Sequence, residues 1–165
     1  MTFTTTRQKI NGLYAIAADN NINVFENCPK TIVAMAAQYP EGDKFVSILD
    51  FDALDTSEYY NEKSKRWYTK LEVLAHEIGH CMTDSFYYSD TPYTERCKQE
   101  ARADHWSYEY VIPFSELCTA VEKGNRELWA LSEYFHVSED FVKSAIDYYA
   151  QHNKVVPQYL YNEYE

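Results

Sequence analysis

Apolar residues recur at helical spacing in several stretches of this chain and gather in short β-like runs in others. Ile10, Leu13, Tyr14, Ala17 and Ala18 mark one face of a helix over 7–19, which stops at the polar run Asp19-Asn20-Asn21. Asn23 to Glu26 reads as a short strand, and Thr31 to Gln38 is apolar without a decisive period. Pro40-Glu41-Gly42-Asp43 is a turn, followed by the β-rich run Phe45-Val46-Ser47-Ile48-Leu49. The acidic, turn-like stretch from Asp50 to Ser64 reads as a connection. From Trp67 to Met82 the apolar positions Trp67, Leu71, Leu74, Ala75, Ile78, Cys81 and Met82 form one stripe of a helix. A turn at Asp90-Thr91-Pro92 precedes a second helical run from Thr94 to Val111. Leu128, Leu131, Phe135, Val137, Phe141, Val142, Ala145, Ile146 and Tyr149 then mark two short helices, with Ser138 as the N-cap before Glu139 and Asp140. The pattern predicts an α+β domain, mainly helical, with a small antiparallel sheet packed against the helix over 67–82. No repeat or linker divides it. The expectation is a single domain over 1–165, comprising a core over 1–125, a helical segment over 126–150 and a tail over 151–165. The tail, ending Tyr159-Leu160-Tyr161-Asn162-Glu163-Tyr164-Glu165, reads equally as a strand or a loose end.

The helix over 67–82 carries His76-Glu77-Ile78-Gly79-His80, an H-E-x-x-H sequence. Residues four apart on an α-helix lie about 40° apart around the axis and about 6 Å along it. Two imidazoles at that offset converge on one cation. Glu77, one residue on from His76, leans to the side of the pair, where it reaches water rather than metal; that is the place of a general base. His76 and His80 flank the apolar stripe, so the site is set against a core. Gly79 costs about 1 kcal/mol relative to alanine inside a helix. It allows another backbone or a substrate to come close. A chance match on a solvated helix would explain neither feature.

A catalytic zinc takes three protein ligands and keeps one position open. Glu100 and Asp104 are i and i+4 on the next helical run and so share a face. Twenty positions after His80, the chain has room to turn and bring that helix back antiparallel. Glu100 then completes a His-His-Glu set for one Zn²⁺. Asp104, one turn on, is placed to accept a hydrogen bond from the far nitrogen of a ligand histidine. For an oxyanion donor, Tyr93, Tyr110, His105 and His136 all have suitable chemistry, and the linear sequence does not choose among them.

Composition narrows the field. A net charge of −11, from 26 acidic against 15 basic residues, argues against phosphate binding. The helical pair over 126–150 has a helix-turn-helix-like pattern, but it carries Arg126 and Lys143 against Glu127, Glu133, Glu139, Asp140 and Asp147. That balance predicts packing or protein docking, with no direct nucleic-acid contact. Sixteen tyrosines suit half-buried positions with wet hydroxyls. Cys28, Cys81, Cys97 and Cys118 show neither zinc-knuckle nor disulfide spacing, which suits a reducing cytoplasm. No apolar run approaches the length of a membrane span, and the start lacks a signal peptide's regions.

The H-E-x-x-H helix, followed by Glu100-Ala101-Arg102-Ala103-Asp104-His105-Trp106 and closed by Val111-Ile112-Pro113, resembles the ImmA/IrrE family of zinc metallopeptidases. The likeness is specific over 71–113 and looser over 128–150. Asp104, Trp106, Ser107 and Val111-Ile112 depart from the family's commoner Asn, Phe, Ala and Leu-Met, and none of these changes removes a ligand. The resemblance implies a zincin-like domain with an edge strand beside the cleft for extended substrate. It further implies an intracellular regulatory protease of a bacterium, phage or mobile element, whose protein substrate is a helix-turn-helix transcriptional repressor. Two other readings stay open: a non-catalytic protein-binding module on the same fold, and a zinc hydrolase of small peptides.

Overall fold

The computed structural model describes residues 5–29, 32–52, 58–62 and 65–152. Six helices and five strands follow one another among them: α1 (Thr6–Asp19), β1 (Ile22–Glu26), β2 (Ala34–Gln38), β3 (Lys44–Ile48), β4 (Glu58–Asn61), β5 (Arg66–Thr69), α2 (Lys70–Met82), α3 (Tyr93–Val111), α4 (Phe114–Glu122), α5 (Leu128–Phe135) and α6 (Glu139–Gln151). The fold is α+β and mostly helical. The tail beyond His152 lies outside the described residues.

The sheet differs in detail from the sequence expectation. Its order is β1-β3-β2, with β1 and β3 parallel and β2 and β3 antiparallel, so the three strands form a mixed sheet. Parallel pairing needs a crossover that no local pattern announces. The ambiguous stretch over 31–38 resolves as β2, joined to β3 by a turn in which Gly42 adopts φ +100°. That turn is closed by bonds from Tyr39 N–H to Asp43 O at 2.8 Å and from Gly42 N–H to Tyr39 O at 2.9 Å.

Trp67 is a second difference. It lies in β5, paired with Tyr60 of β4, and is 56% exposed, so the helix begins at Lys70 and not at Trp67. The local sequence contains the reason. Thr69-Lys70-Leu71-Glu72 is a capping box: Glu72 N–H donates to Thr69 Oγ1 at 3.2 Å and Thr69 N–H donates to Glu72 Oε2 at 3.3 Å. The segment over 50–64, read as connection alone, contributes β4 to this hairpin.

α2 is the spine of the molecule. Leu71, Leu74, Ala75, Ile78 and Cys81 are buried in the core with Val46 and Ile48 of β3 and Leu13 of α1. Both ends of α2 are tied to the sheet. Lys70 Nζ pairs with Glu26 of β1 at 2.8 Å, and Lys44 Nζ of β3 donates to the Cys81 carbonyl at 2.6 Å near the negative end of the helix. Against the other side of α2 lies α3. A Cβ added at Gly79 would fall 2.6 Å from the Ala103 carbonyl oxygen, so this glycine sets how closely the two backbones approach.

The helical pair over 126–151 is part of the same body. His136 adopts the left-handed conformation that ends α5, and the Ser138 side chain accepts the Phe141 N–H as N-cap of α6. Phe141 of α6 meets the Tyr108 ring of α3, and Tyr149 donates its hydroxyl to the Ile112 carbonyl at 2.7 Å. Glu72 ties α6 to α2 by also accepting the Ser138 N–H.

Candidate metal centre and its cleft

His76 and His80 project from one face of α2 with ring centroids 4.7 Å apart. Their Nε2 atoms are 3.1 Å from each other. Glu100 of α3 closes the triangle, one carboxylate oxygen 3.3 Å from His76 Nε2 and the other 3.5 Å from His80 Nε2. These three residues offer the one metal-competent cluster of His, Cys, Asp or Glu among the described residues. The donor set fits a tetrahedral zinc. Bonds of roughly 2.0–2.2 Å place tetrahedral donors about 3.3–3.6 Å apart, close to the three separations observed.

The helices run antiparallel here, since one turn forward on α2, from His76 to His80, corresponds to one turn back on α3, from Asp104 to Glu100. Asp104 Oδ1 lies 2.8 Å from His76 Nδ1. His80 Nδ1 faces the Ser85 carbonyl at 2.7 Å, so that N–H donates there and Nε2 is left to the cluster. Burial pulls the His76 pKa down, but hydrogen bonds to Asp104 and Glu100 outweigh it and raise the imidazole to about 10. Burial pushes Glu100 up, but hydrogen bonds with His76, His80 and Tyr87 outweigh it and hold the carboxyl well below its usual range. Those two shifts describe His76 paired with the Glu100 and Asp104 carboxylates through a proton that a bound cation would have to displace.

Glu77 is buried beside the triangle and takes no part in it. Burial pushes its carboxyl up, with His76 and His80 pulling the other way. The backbone N–H of Ala36 on β2 lies nearby and favours its charged form. That placement follows from strand register. Leu49 N–H donates to Val33 O at 2.7 Å and Tyr39 N–H to Asp43 O at 2.8 Å, so odd-numbered residues of this segment bond to β3. Even-numbered Ala34, Ala36 and Gln38 therefore turn their amides outward on the free edge of the sheet. A cleft of about 390 Å³ opens beside this edge. Ala34, Trp67, Tyr108 and Phe141 contribute to its walls, and His76, Glu77, Glu100 and Asp104 line one side.

None of the four residues named for the oxyanion lines this cleft. The Tyr110 hydroxyl donates to the Lys9 carbonyl at 2.8 Å, and His105 stacks on Tyr148 with centroids 4.4 Å apart. Tyr93 is 73% exposed at the start of α3, and His136 sits at the α5 turn. Sequence reasoning overlooked Ser85, Tyr87 and Ala36. The first two lie in an irregular loop with no periodic signal. Ala36 acts through its backbone, which residue type does not reveal.

A histidine pair on one helix, a glutamate from the next and a buried carboxylate beside a sheet edge define a metallopeptidase-type centre. The chain belongs to the Peptidase M78 family: the model of its IrrE N-terminal-like domain matches residues 59–147, more than half of the chain. That span contains every donor of the cluster, Glu77 and most of α6. No curated protein and no solved structure matches the chain.

Proposed function

We propose that this protein is a zinc-dependent endopeptidase. The observation that carries the reading is Glu77, a buried carboxylate beside three metal-competent donors and next to an edge strand. A structural metal site has no use for a base in that position. When bound to His76, His80 and Glu100, zinc supplies a Lewis acid for the scissile carbonyl and lowers the pKa of water to about 7. Glu77 accepts the proton of the attacking water and passes it to the departing amine. The nearby Ala36 N–H favours the charged carboxylate that takes the first proton. The remaining outward amides and carbonyls of β2 align an extended substrate backbone by strand addition.

The substrate is a protein, and the reading we favour is a helix-turn-helix transcriptional repressor cleaved within a bacterial, phage or mobile-element regulatory system. Support comes from the family and from charge: a protease of net charge −11 attracts a basic DNA-binding partner over long range. The four free cysteines suit a cytoplasmic setting. No helix among the described residues is long and apolar enough to cross a membrane.

The test compares wild type with Glu77→Gln for zinc content and for cleavage of the repressor encoded beside this gene. About one zinc per chain in both, with cleavage by wild type alone, is the expected result. Equal cleavage by Glu77→Gln would refute the base. Zinc uptake without cleavage of any repressor would leave a binding module on this fold.

A further inference from the structure

The helical pair whose sequence pattern is like a helix-turn-helix borders the cleft of the metal centre. On α3, Asp104 and Tyr108 follow Glu100 at one-turn steps, while on antiparallel α2 His76 and Glu72 precede His80. The cleft therefore leads away from the metal donors toward the start of α2. At that end α6 contributes a wall: Phe141 stands edge-on to the Tyr108 ring, with centroids 5.1 Å apart and planes at 74°. Trp67 of β5 and Ile32 before β2 add exposed apolar surface to the same cleft. The two charged side chains here are already engaged. Arg66 Nε lies 3.5 Å from Asp140 Oδ2, and the Glu72 carboxylate accepts the N–H groups of Thr69 and Ser138.

We propose that Trp67, Tyr108 and Phe141 form a selectivity pocket for one large apolar side chain, carried by the substrate residue that follows the scissile bond. The inference rests on the endopeptidase reading and deepens it by assigning a role to α6. Strand direction decides the position. β2 passes from Val33 and Ala34, which line the cleft, to Ala36 near Glu77 and on to Gln38. Antiparallel pairing is the more stable ladder, so a substrate strand added to this edge runs the opposite way. Once past Glu77 it heads for Ala34 and Val33, and the pocket receives the residue on the leaving-amine side. Size and charge decide the type of side chain. The cleft holds about 390 Å³, near the lower end of the roughly 300–1,000 Å³ of small-ligand pockets. That suits one side chain and no folded element. A charged group would be desolvated among the rings while Arg66 and Glu72 are committed elsewhere. Phe, Leu or Met would instead remove apolar surface of the three rings from water.

The experiment incubates the zinc-loaded full chain with a proteome-derived peptide library and reads cleavage sites by mass spectrometry. Bonds followed by Phe, Leu or Met should be cut at least about 10-fold faster than bonds followed by Ala or Asp. Two variants then change the pocket in opposite senses. Phe141→Ala enlarges it and should flatten the preference. Ser144→Leu, one turn further along α6 and also lining the cleft, fills it and should shift cleavage to bonds followed by Ala or Gly. Zinc content and metal-free melting check that both variants fold. A labelled peptide of the preferred sequence, titrated into Glu77→Gln, reads binding without turnover, and adding Phe141→Ala should weaken it about 10-fold. Selectivity for the residue before the bond, or a preference that neither variant moves, would overturn the proposal. A wild type that cuts a repressor yet shows no preference for large apolar residues sinks this inference alone. A zinc-loaded wild type that cuts neither repressor nor library sinks the endopeptidase reading with it.

Discussion

His76 Nδ1 and Asp104 Oδ1 lie 2.8 Å apart across the α2–α3 interface, joining a proposed ligand to a carboxylate 28 positions away. The bond orients the imidazole with Nε2 facing His80 and Glu100. Asp104 and Glu100 therefore do different work from the same helix face.

Their substitution should separate those roles. Glu100→Ala removes a donor and is expected to lose stoichiometric zinc. Asp104→Ala leaves all three donors and should retain one zinc per chain at an affinity lower by about 10–100-fold. Metal analysis after dialysis against a graded series of chelators distinguishes the two. Full zinc occupancy in Glu100→Ala would mean that the third ligand is another residue.

Acid–base linkage at His76 gives a second expectation, for the metal-free protein. The folded pKa of about 10 lies above the ordinary imidazole value of about 6.5, raised by Asp104 and Glu100 against burial. The associated stability is complete below about pH 6.5 and disappears as pH rises through about 10. The stability excess of wild type over Asp104→Asn should therefore shrink between pH 6 and pH 10. Urea unfolding in the presence of chelator measures it, and an excess that grows with pH contradicts the shift.

Gly79→Ala opposes two effects of known sign. Alanine is favoured in a helix interior by about 1 kcal/mol. The new methyl would lie 2.6 Å from the Ala103 carbonyl oxygen, which belongs to backbone and cannot rotate away. Overpacking of this kind costs typically 1–3 kcal/mol, so the variant should be destabilised despite its better propensity. Zinc binding should weaken as well, because prising α3 from α2 moves Glu100 off the histidines. A more stable variant in chemical denaturation would show that the helices have slack.

Ala36→Pro tests the edge-strand contact to Glu77. Proline is tolerated on an edge strand where the lost N–H points outward, and Ala36 is such a position. The chain should fold and bind zinc, yet Glu77 loses the nearby Ala36 N–H that favours its charged form. Misplacing a catalytic group costs on the order of 10²-fold in rate, which repressor cleavage at saturating zinc would register. Wild-type turnover by this variant would remove Ala36 from the mechanism.

Much of the proposed centre was legible because its logic is local. An i, i+4 histidine pair shares a helix face by backbone geometry alone, and the apolar stripe beside it says which side is buried. The capping box at Thr69 was equally local and fixes the helix start at Lys70, although apolar periodicity extended it back to Trp67. The alternation of turn and apolar run revealed strands but not their direction. Parallel pairing of β1 with β3 depends on a crossover, and nothing within either strand encodes it.

The sequence by itself determined a helical α+β chain with two imidazoles and a carboxylate on one helix, and an acidic pair on the next. Tertiary structure decided how close the two helices come, through Gly79 against Ala103. It also decided which strand edge lies beside Glu77, and that the Tyr87 ring stands against His80 while Tyr93, Tyr110, His105 and His136 lie outside the cleft. Helix periodicity is set by bonds between near neighbours, so it is written in spacing. The aim of a loop side chain and the free edge of a strand depend on what packs against them from distant parts of the chain, and no spacing records that.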